Sequence, residues 1–172
     1  MDASAISQII FLIILLIFSA FFSSAETALT TVNKIRMRTL ADDGNKRAER
    51  VLRITDDSHK MLSAILIGNN IVNLSASSLA TTLAIKLWGS VGAGIATGIL
   101  TFLILVFGEI SPKTFATLYA DQISIAYSGI IGFLMKILTP VIFLVNQFSM
   151  GFLFLLHMDP KANNNQMTEE ED

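Results

Sequence analysis

The stretch VFGEISPKT, from Val106 to Thr114, overlaps the end of a run of 22 residues (87–108) that contains no charged side chain. Two more runs without charge cover residues 3–25 and 61–85. A helix needs roughly 20 apolar residues to cross a hydrocarbon core about 30 Å thick. The three runs therefore predict an all-α integral membrane protein. Its transmembrane helices are expected at residues 5–31, 61–85 and 87–110.

Composition supports the membrane assignment and disfavours several other classes. Only 15% of the 172 residues are charged, against about 25% in ordinary soluble domains. The first run is preceded only by Asp2, so it lacks the basic start of a cleaved signal peptide and is expected to remain as a span. No basic face with interleaved aromatic residues indicates a nucleic-acid partner. No nucleophile–base pair or phosphate-binding loop indicates an enzyme.

The basic residues predict how the chain is oriented. Eight of the twelve Lys and Arg residues lie within residues 33–60. Because cytoplasmic loops carry such an excess, this segment is expected in the cytoplasm, with the N-terminus outside and the C-terminus inside. Apolar spacing in the segment predicts two short amphipathic helices separated by the turn DDGN (42–45). The residues from Asp56 to Ser58 are expected to cap the second span.

Residues 122–157 are apolar but interrupted, and two interpretations compete. A juxtamembrane belt of two or three short helices would lie along the cytoplasmic interface. A fourth span at about 137–156 would instead take the C-terminus outside. Lys136 and Pro140 favour the belt, because a charge and a helix-breaking residue are both costly inside a span. The acidic tail, residues 158–172, is expected to lead toward a further domain.

Polar residues gather in three places that should converge near the middle to inner level of the membrane. Such residues are expensive in hydrocarbon and often functional. Every candidate ligand is a hard oxygen atom, and the chain has no cysteine. This chemistry predicts a site for Mg²⁺, Ca²⁺ or Na⁺ rather than for zinc or copper. The three groups are Ser23, Ser24, Glu26 and Thr27; Asn69, Asn70, Asn73, Ser75, Ser77 and Ser78; and Gly108, Glu109 and Ser111.

The proline of the opening stretch suggests how a carbonyl becomes available in the third group. Pro112 has no N–H to donate to the carbonyl four residues earlier, which belongs to Gly108. Glycine also lets the backbone approach a ligand closely. A free carbonyl beside the Glu109 carboxylate would form an oxygen-rich corner, as in transporters whose broken helices hold ions.

Structural explanations compete with this functional one. Serine and asparagine side chains also hold helices together in lipid. Ser23 and Ser24 can bond back to carbonyls of their own helix. Glu109 can extend to the membrane surface toward Lys113, and Glu26 can meet basic residues there.

Three strings together resemble the transmembrane domain of the CorC/CNNM magnesium transporter family: FFSSAETALTTVNKIRMRTLADDGNKRAERVL (21–52), LIGNNIVNLSASS (66–78) and VFGEISPKT. The resemblance implies a three-span homodimer in the plasma or inner membrane, with a juxtamembrane helical belt. It implies binding and efflux of Mg²⁺, with inward Na⁺ as the candidate coupling ion. By motif, it implies a metal site at Ser23, Asn69, Asn70, Asn73, Gly108 and Glu109, supported by the helix break at Pro112.

Members of that family usually continue into cytoplasmic cystathionine-β-synthase-type domains that bind ATP. This chain stops at Asp172, so it is expected to be the isolated transmembrane module, residues 1–157 with a tail. The alternative function is a membrane scaffold that senses Mg²⁺ without transporting it.

Overall fold

The computed structural model describes residues 3–155, and these are helical nearly throughout, without a β-strand. The predicted all-α class is therefore confirmed. The helices are α1 (Ala3–Thr31), α2 (Lys34–Asp42), α3 (Lys46–Asp56), α4 (Ser58–Leu103), a π-helical segment (Ile104–Ile110), α5 (Ser111–Leu118), α6 (Ala120–Ile137) and α7 (Thr139–Leu155).

Three helical stretches are long and apolar enough to cross a membrane: Ser4–Thr31, Ser58–Gly89 and Val91–Leu118, called here the first, second and third spans. In their most apolar windows only 22%, 22% and 17% of the residues are buried within the protein. Most of the apolar surface therefore faces outward, as expected for contact with lipid. The third span continues through Pro112 to Leu118, beyond the expected end at residue 110. Proline is tolerated there because it lies in the first turn of α5, where N–H groups have no partner in the same helix.

Gly89 separates the second span from the third. Its φ of 72° and ψ of −165° interrupt α4, and side chains other than glycine rarely adopt such a backbone conformation. This break falls within residues 86–91, where the sequence predicts a connection. Nearby, Lys86 Nζ donates a hydrogen bond of 2.8 Å to Ser4 Oγ, which links the second span to the start of the first.

The basic segment between the first two spans folds as its sequence predicts. α2 and α3 are separated by a turn in which Gly44 has a φ of 87°. The Asn33 side chain accepts from the backbone N–H of Arg36 and so caps α2. The expected cap of the second span is also present, because the Asp57 side chain accepts from the backbone N–H of Lys60 at 3.2 Å. The buried face of these helices contains Met37, Ala48, Val51, Ile54 and Thr55.

α6 is held against the start of α2 and the C-terminal half of α1. Asp121 Oδ1 accepts from the backbone N–H of Asn33 at 3.1 Å, and its other oxygen lies 3.3 Å from Arg36 Nη1. The Tyr127 ring lies 4.5 Å from the Phe21 ring, between centroids. These contacts position α6 beside the basic segment within one compact unit, which ends at Lys136.

A second compact unit begins at Ile137 and contains α7. The helices are interrupted at Leu138, next to the Thr139–Pro140 pair that predicts a break. By length and composition α6 and α7 together also qualify as one broken span, which would raise the number of spans to four. The juxtamembrane belt therefore stays a prediction. Its last residues and the tail at 158–172 lie outside the described residues.

Candidate ion-binding site

The first and second spans approach closely where a glycine faces an aromatic ring. A Cβ atom at Gly68 would overlap the ring of Phe22. A larger residue at 68 would therefore require the Phe22 ring, or the helix that carries it, to move. Asn69 follows Gly68 on the second span, and Ser23 follows Phe22 on the first. Ser23 is 1% exposed.

The third span meets the first through the opening motif. Gly108 is buried, and a Cβ atom there would lie 2.8 Å from Ser19 Oγ. Such contacts are closer than a real Cβ atom tolerates, so glycine is required for this approach. Ser19 lies one helical turn before Ser23, and both serines therefore face the interior on the same side of α1.

The helix around Gly108 continues, but it changes register. Residues Ile104–Ile110 form a π-helix, and the N–H of Ser111 donates to the carbonyl of Val106, five residues earlier. Continued to residue 112, this register would place the Pro112 nitrogen, which carries no hydrogen, opposite the Phe107 carbonyl instead of the Gly108 carbonyl. The proline is thus accommodated by a local widening of the helix, a common adjustment in membrane spans and at functional sites.

Four buried oxygen atoms in this region have no hydrogen-bond partner among the described residues. They are Ser19 Oγ and Ser23 Oγ on the first span, and Asn69 Oδ1 and Asn73 Oδ1 on the second. Each such atom costs about 1–3 kcal/mol in a folded protein. Two such atoms lie on each of two packed helices, so a bound ligand could satisfy them; Gln8 Oε1 and Ser124 Oγ, elsewhere in the described residues, also have no partner.

Ser23 and Ser24 are neighbours, but their environments differ. Ser24 Oγ donates to the carbonyl of Phe21 at 3.0 Å, so for this residue bonding back to its own helix explains the buried hydroxyl. Ser23 makes no such bond within residues 3–155. The structural explanation offered for both serines therefore holds for Ser24 alone.

The three asparagines predicted as ligands also differ in burial. Asn69 and Asn73 are one helical turn apart, and each buries its side-chain oxygen. Asn70 is exposed and points away from that face. The structure does not bring Asn70 to the buried oxygens. The surface on which it lies is directed toward lipid or toward another chain.

The charged residues lie at the edge of the site and contact one another. Lys113 Nζ is 3.4 Å from Glu109 Oε1 and 3.6 Å from Glu26 Oε2. All three side chains are between 35% and 41% exposed. The contact of Glu109 with Lys113, considered above as a structural alternative, is therefore present. Glu26 likewise meets a basic residue, although this one comes from the third span rather than from the basic segment.

The donor set restricts the ligand. Within residues 3–155 no group of three or more His, Cys, Asp or Glu residues could hold a metal. Neutral hydroxyl and amide oxygens with carboxylates at the edge suit hard cations such as Mg²⁺ or Na⁺, or an ammonium group that donates N–H bonds. Ser19 was not among the residues predicted from sequence, although its spacing of four residues from Ser23 is visible there.

The fold defines an all-helical integral membrane protein with buried polar oxygens on its first and second spans. Over residues 10–171 the chain matches the family described as "Cyclin M transmembrane N-terminal domain". Because the match covers most of the chain, the chain belongs to this CNNM family, and the resemblance noted in its sequence is confirmed.

Several curated relatives share this region. A UPF0053 protein of Haemophilus influenzae is 41% identical over 172 residues, which cover 99% of this chain and 41% of the relative. The UPF0053 inner membrane protein YfjD of Escherichia coli K12 is 41% identical over 128 residues, 74% of this chain and 30% of the relative. A more distant H. influenzae relative, 23% identical over 94% of this chain and 40% of its own length, is named polyamine export protein. The chain thus spans less than half the length of these relatives.

Proposed function

We propose that this chain is the membrane domain of a Mg²⁺ transporter and that the ion binds between its spans. The supporting observation is the set of buried oxygens without partners at Ser19, Ser23, Asn69 and Asn73. Three of these four were predicted as ligands from sequence. Mg²⁺ keeps part of its hydration shell and prefers six oxygen ligands, so the neutral oxygens would replace only some of its water.

Charge compensation in this proposal comes from the edge of the site. Glu26 and Glu109 share one positive charge, that of Lys113, and the three groups together carry a formal net charge of −1. A divalent cation that approached the carboxylates would compete with Lys113 for them. Displacement of the lysine would leave two carboxylates facing the ion, which balances its charge. Gly108 acts in this scheme by allowing the third span to approach Ser19.

The proposed orientation follows from the basic residues. With residues 33–60 in the cytoplasm, the Lys113 end of the site faces the cytoplasm, which is the entry side for efflux. We also expect a homodimer, with Na⁺ as the coupling ion. Single cysteines at Ser4 and Asp43 test the orientation: an impermeant thiol reagent added to intact cells should label the first and not the second. Labelling of the cysteine at position 43 alone would reverse the proposed direction.

A second candidate function is export of a polyamine. It is favoured by the name of the distant relative and by the chemistry of the oxygens, which accept N–H bonds from an ammonium group as readily as they bind a metal. The two substrates differ in shape. Mg²⁺ requires a compact arrangement of ligands, whereas a polyamine is extended and needs acceptors along its length.

The deciding experiment is a flux measurement with the purified chain in sealed vesicles. Vesicles that enclose a Mg²⁺-sensitive dye would be diluted into Mg²⁺, with a parallel series that follows radiolabelled spermidine. The proposal expects saturable Mg²⁺ entry that the Asn69→Leu variant loses and the Asn70→Leu variant retains. Equilibrium binding of Mg²⁺ is measured on the same preparations by calorimetry.

The outcomes separate the functions. Mg²⁺ binding without flux would replace the transporter with a Mg²⁺-sensing scaffold. Spermidine flux without Mg²⁺ flux would favour the polyamine exporter. Absence of both binding and flux would leave the asparagines as residues that hold the helices together.

A further inference from the structure

A cleft of about 430 Å³ lies between the basic segment and α6, away from the buried oxygens. One wall carries two arginines of α3, Arg47 and Arg50, which are three residues apart and so share a helix face. The other wall is formed by α6 and is apolar apart from its backbone. It includes Ile125, Gly129, Ile130 and Phe133.

The arginines of this cleft differ from Arg36 and Arg53 of the same segment, although Arg38, outside the cleft, likewise has no ion-pair partner within residues 3–155. Arg36 has a carboxylate partner in Asp121, and Arg53 has one in Glu49 at 2.8 Å. Within residues 3–155, Arg47 and Arg50 have no ion-pair partner. Two guanidinium groups without carboxylates, side by side on one helix face, form a site for an anion with several oxygens, and phosphate is the group that arginine recognises best.

The position of Arg50 depends on a glycine of the opposite wall. A Cβ atom at Gly129 would lie 3.1 Å from Arg50 Nη1, closer than most real contacts of this kind. Glycine at this position therefore lets the guanidinium lie against the α6 backbone. Beside it, Ile130 and Phe133 are 52% and 62% exposed, so the apolar wall continues outward as an uncovered surface.

We propose that this cleft binds an anionic phospholipid, with the phosphate held by Arg47 and Arg50 and an acyl chain lying along Ile130 and Phe133. A soluble phosphate would use the arginines but would leave the apolar wall uncovered. A zwitterionic lipid would cover the wall but would bring a cationic group toward the arginines. Charge on one wall and apolar surface on the other match a lipid that carries a net negative charge.

The proposal is tested on the whole chain by native mass spectrometry in detergent, after incubation with phosphatidylglycerol or phosphatidylcholine in equal amounts. The Arg47→Gln, Arg50→Gln double variant should retain about 30-fold less phosphatidylglycerol than the wild type, on the scale expected for two basic residues near a lipid surface. The matched control is Lys34→Gln, Arg38→Gln, which removes the same charge from α2 outside the cleft. Its retention should change by less than about twofold.

Two further arms identify what the cleft recognises. Gly129→Leu keeps both arginines but fills the cleft, and it should also lower phosphatidylglycerol retention. Excess inorganic phosphate should not displace the lipid, because it cannot cover the apolar wall. Elution volume and helical content, measured for every variant, separate loss of lipid from loss of fold.

The contrary results are equally specific. An equal loss of lipid in the two double variants would mean that the whole basic segment attracts anionic lipid without a defined site. Equal retention of phosphatidylcholine and phosphatidylglycerol by the wild type would remove the role of charge. Complete displacement by inorganic phosphate would make the cleft a site for soluble anions. Each of these results would overturn the proposal.

Discussion

The site contains two polar regions that differ in burial and in partners. The buried oxygens of Ser19, Ser23, Asn69 and Asn73 have no hydrogen-bond partner among the described residues. The charged group of Glu26, Glu109 and Lys113 is more than one-third exposed, and every member of it has a partner. Groups that are costly to bury are thus left unpaired, whereas groups that water or lipid headgroups can reach are paired.

This contrast assigns different roles to the two regions. In the proposed ion site, the buried neutral oxygens would contribute selectivity, because packing fixes their number and positions. A half-exposed ion pair contributes little stability, typically about 0–1 kcal/mol, and is therefore easily rearranged. The comparison predicts that substitutions in the buried region change Mg²⁺ affinity strongly, whereas substitutions in the charged region change it only slightly.

The largest effect is expected from removal of the amide oxygens. The Asn69→Leu, Asn73→Leu double variant keeps similar volume but loses two oxygens, each worth about 1.5–3 kcal/mol when it meets a charge. Mg²⁺ affinity measured by calorimetry should fall by at least about 100-fold. Asn70→Leu is the matched control, because this neighbour is exposed, and its affinity should stay within about twofold of the wild type.

Thermal stability measured without Mg²⁺ is a second readout for the Asn69→Leu, Asn73→Leu double variant and its Asn70→Leu control. If the asparagines exist to bind an ion, replacement of two unpaired buried oxygens by carbon should leave stability unchanged or raise it. If instead they hold the helices together, the double variant should be less stable. A lower melting temperature with unchanged Mg²⁺ affinity would assign them to packing.

An intermediate effect is expected at Gly108. Alanine there would place its Cβ 2.8 Å from Ser19 Oγ, so the Ser19 hydroxyl must rotate or the third span must shift away from the first. We expect Mg²⁺ affinity to fall by about tenfold, as when a site is loosened by roughly 1 Å. Gly98→Ala is the control on the same span, because a Cβ atom there meets nothing within 4 Å.

A second substitution, at Ser19, can restore the space that the added Cβ atom at position 108 occupies, and so tests whether this contact is responsible. Adding Ser19→Gly to Gly108→Ala removes the opposing side chain and should recover the helix approach, although it also removes one candidate oxygen. Because the lost oxygen itself weakens Mg²⁺ binding, the helix approach is followed by thermal stability, which the double variant should recover relative to Gly108→Ala. If stability is not recovered, the contact between Gly108 and Ser19 does not set the distance between the two spans.

The parts of the fold that depend on local sequence were predicted correctly. The uncharged runs indicated three spans, the DDGN turn separated α2 from α3, and Asp57 capped the second span. The third span was predicted to end at residue 110, because a proline usually stops a helix. In the structure the helix continues to Leu118 after a π-helical segment. The rule that proline stops a helix does not predict such a change of register.

The candidate site was predicted in part for the same reason. Spacing of four residues selects Asn69 with Asn73, and the structure agrees that their oxygens are buried on one face. Residue spacing gives no sign that Ser23 lacks a backbone partner while Ser24 has one. Ser19 was missed because it became relevant only when Gly108 was seen to lie against it.

The smallest effect is expected at Lys113. In Lys113→Met the Glu26 and Glu109 carboxylates lose the cation that lies 3.6 Å and 3.4 Å from them, so a bound ion no longer competes with it. Because such half-exposed pairs are weak, Mg²⁺ affinity should rise by only about threefold, and added salt should reduce the gain. Lys34→Met, which removes the same charge from α2, should leave affinity nearly unchanged. A lower affinity in Lys113→Met would mean that the lysine orders the site, whereas an unchanged one would place both carboxylates outside it.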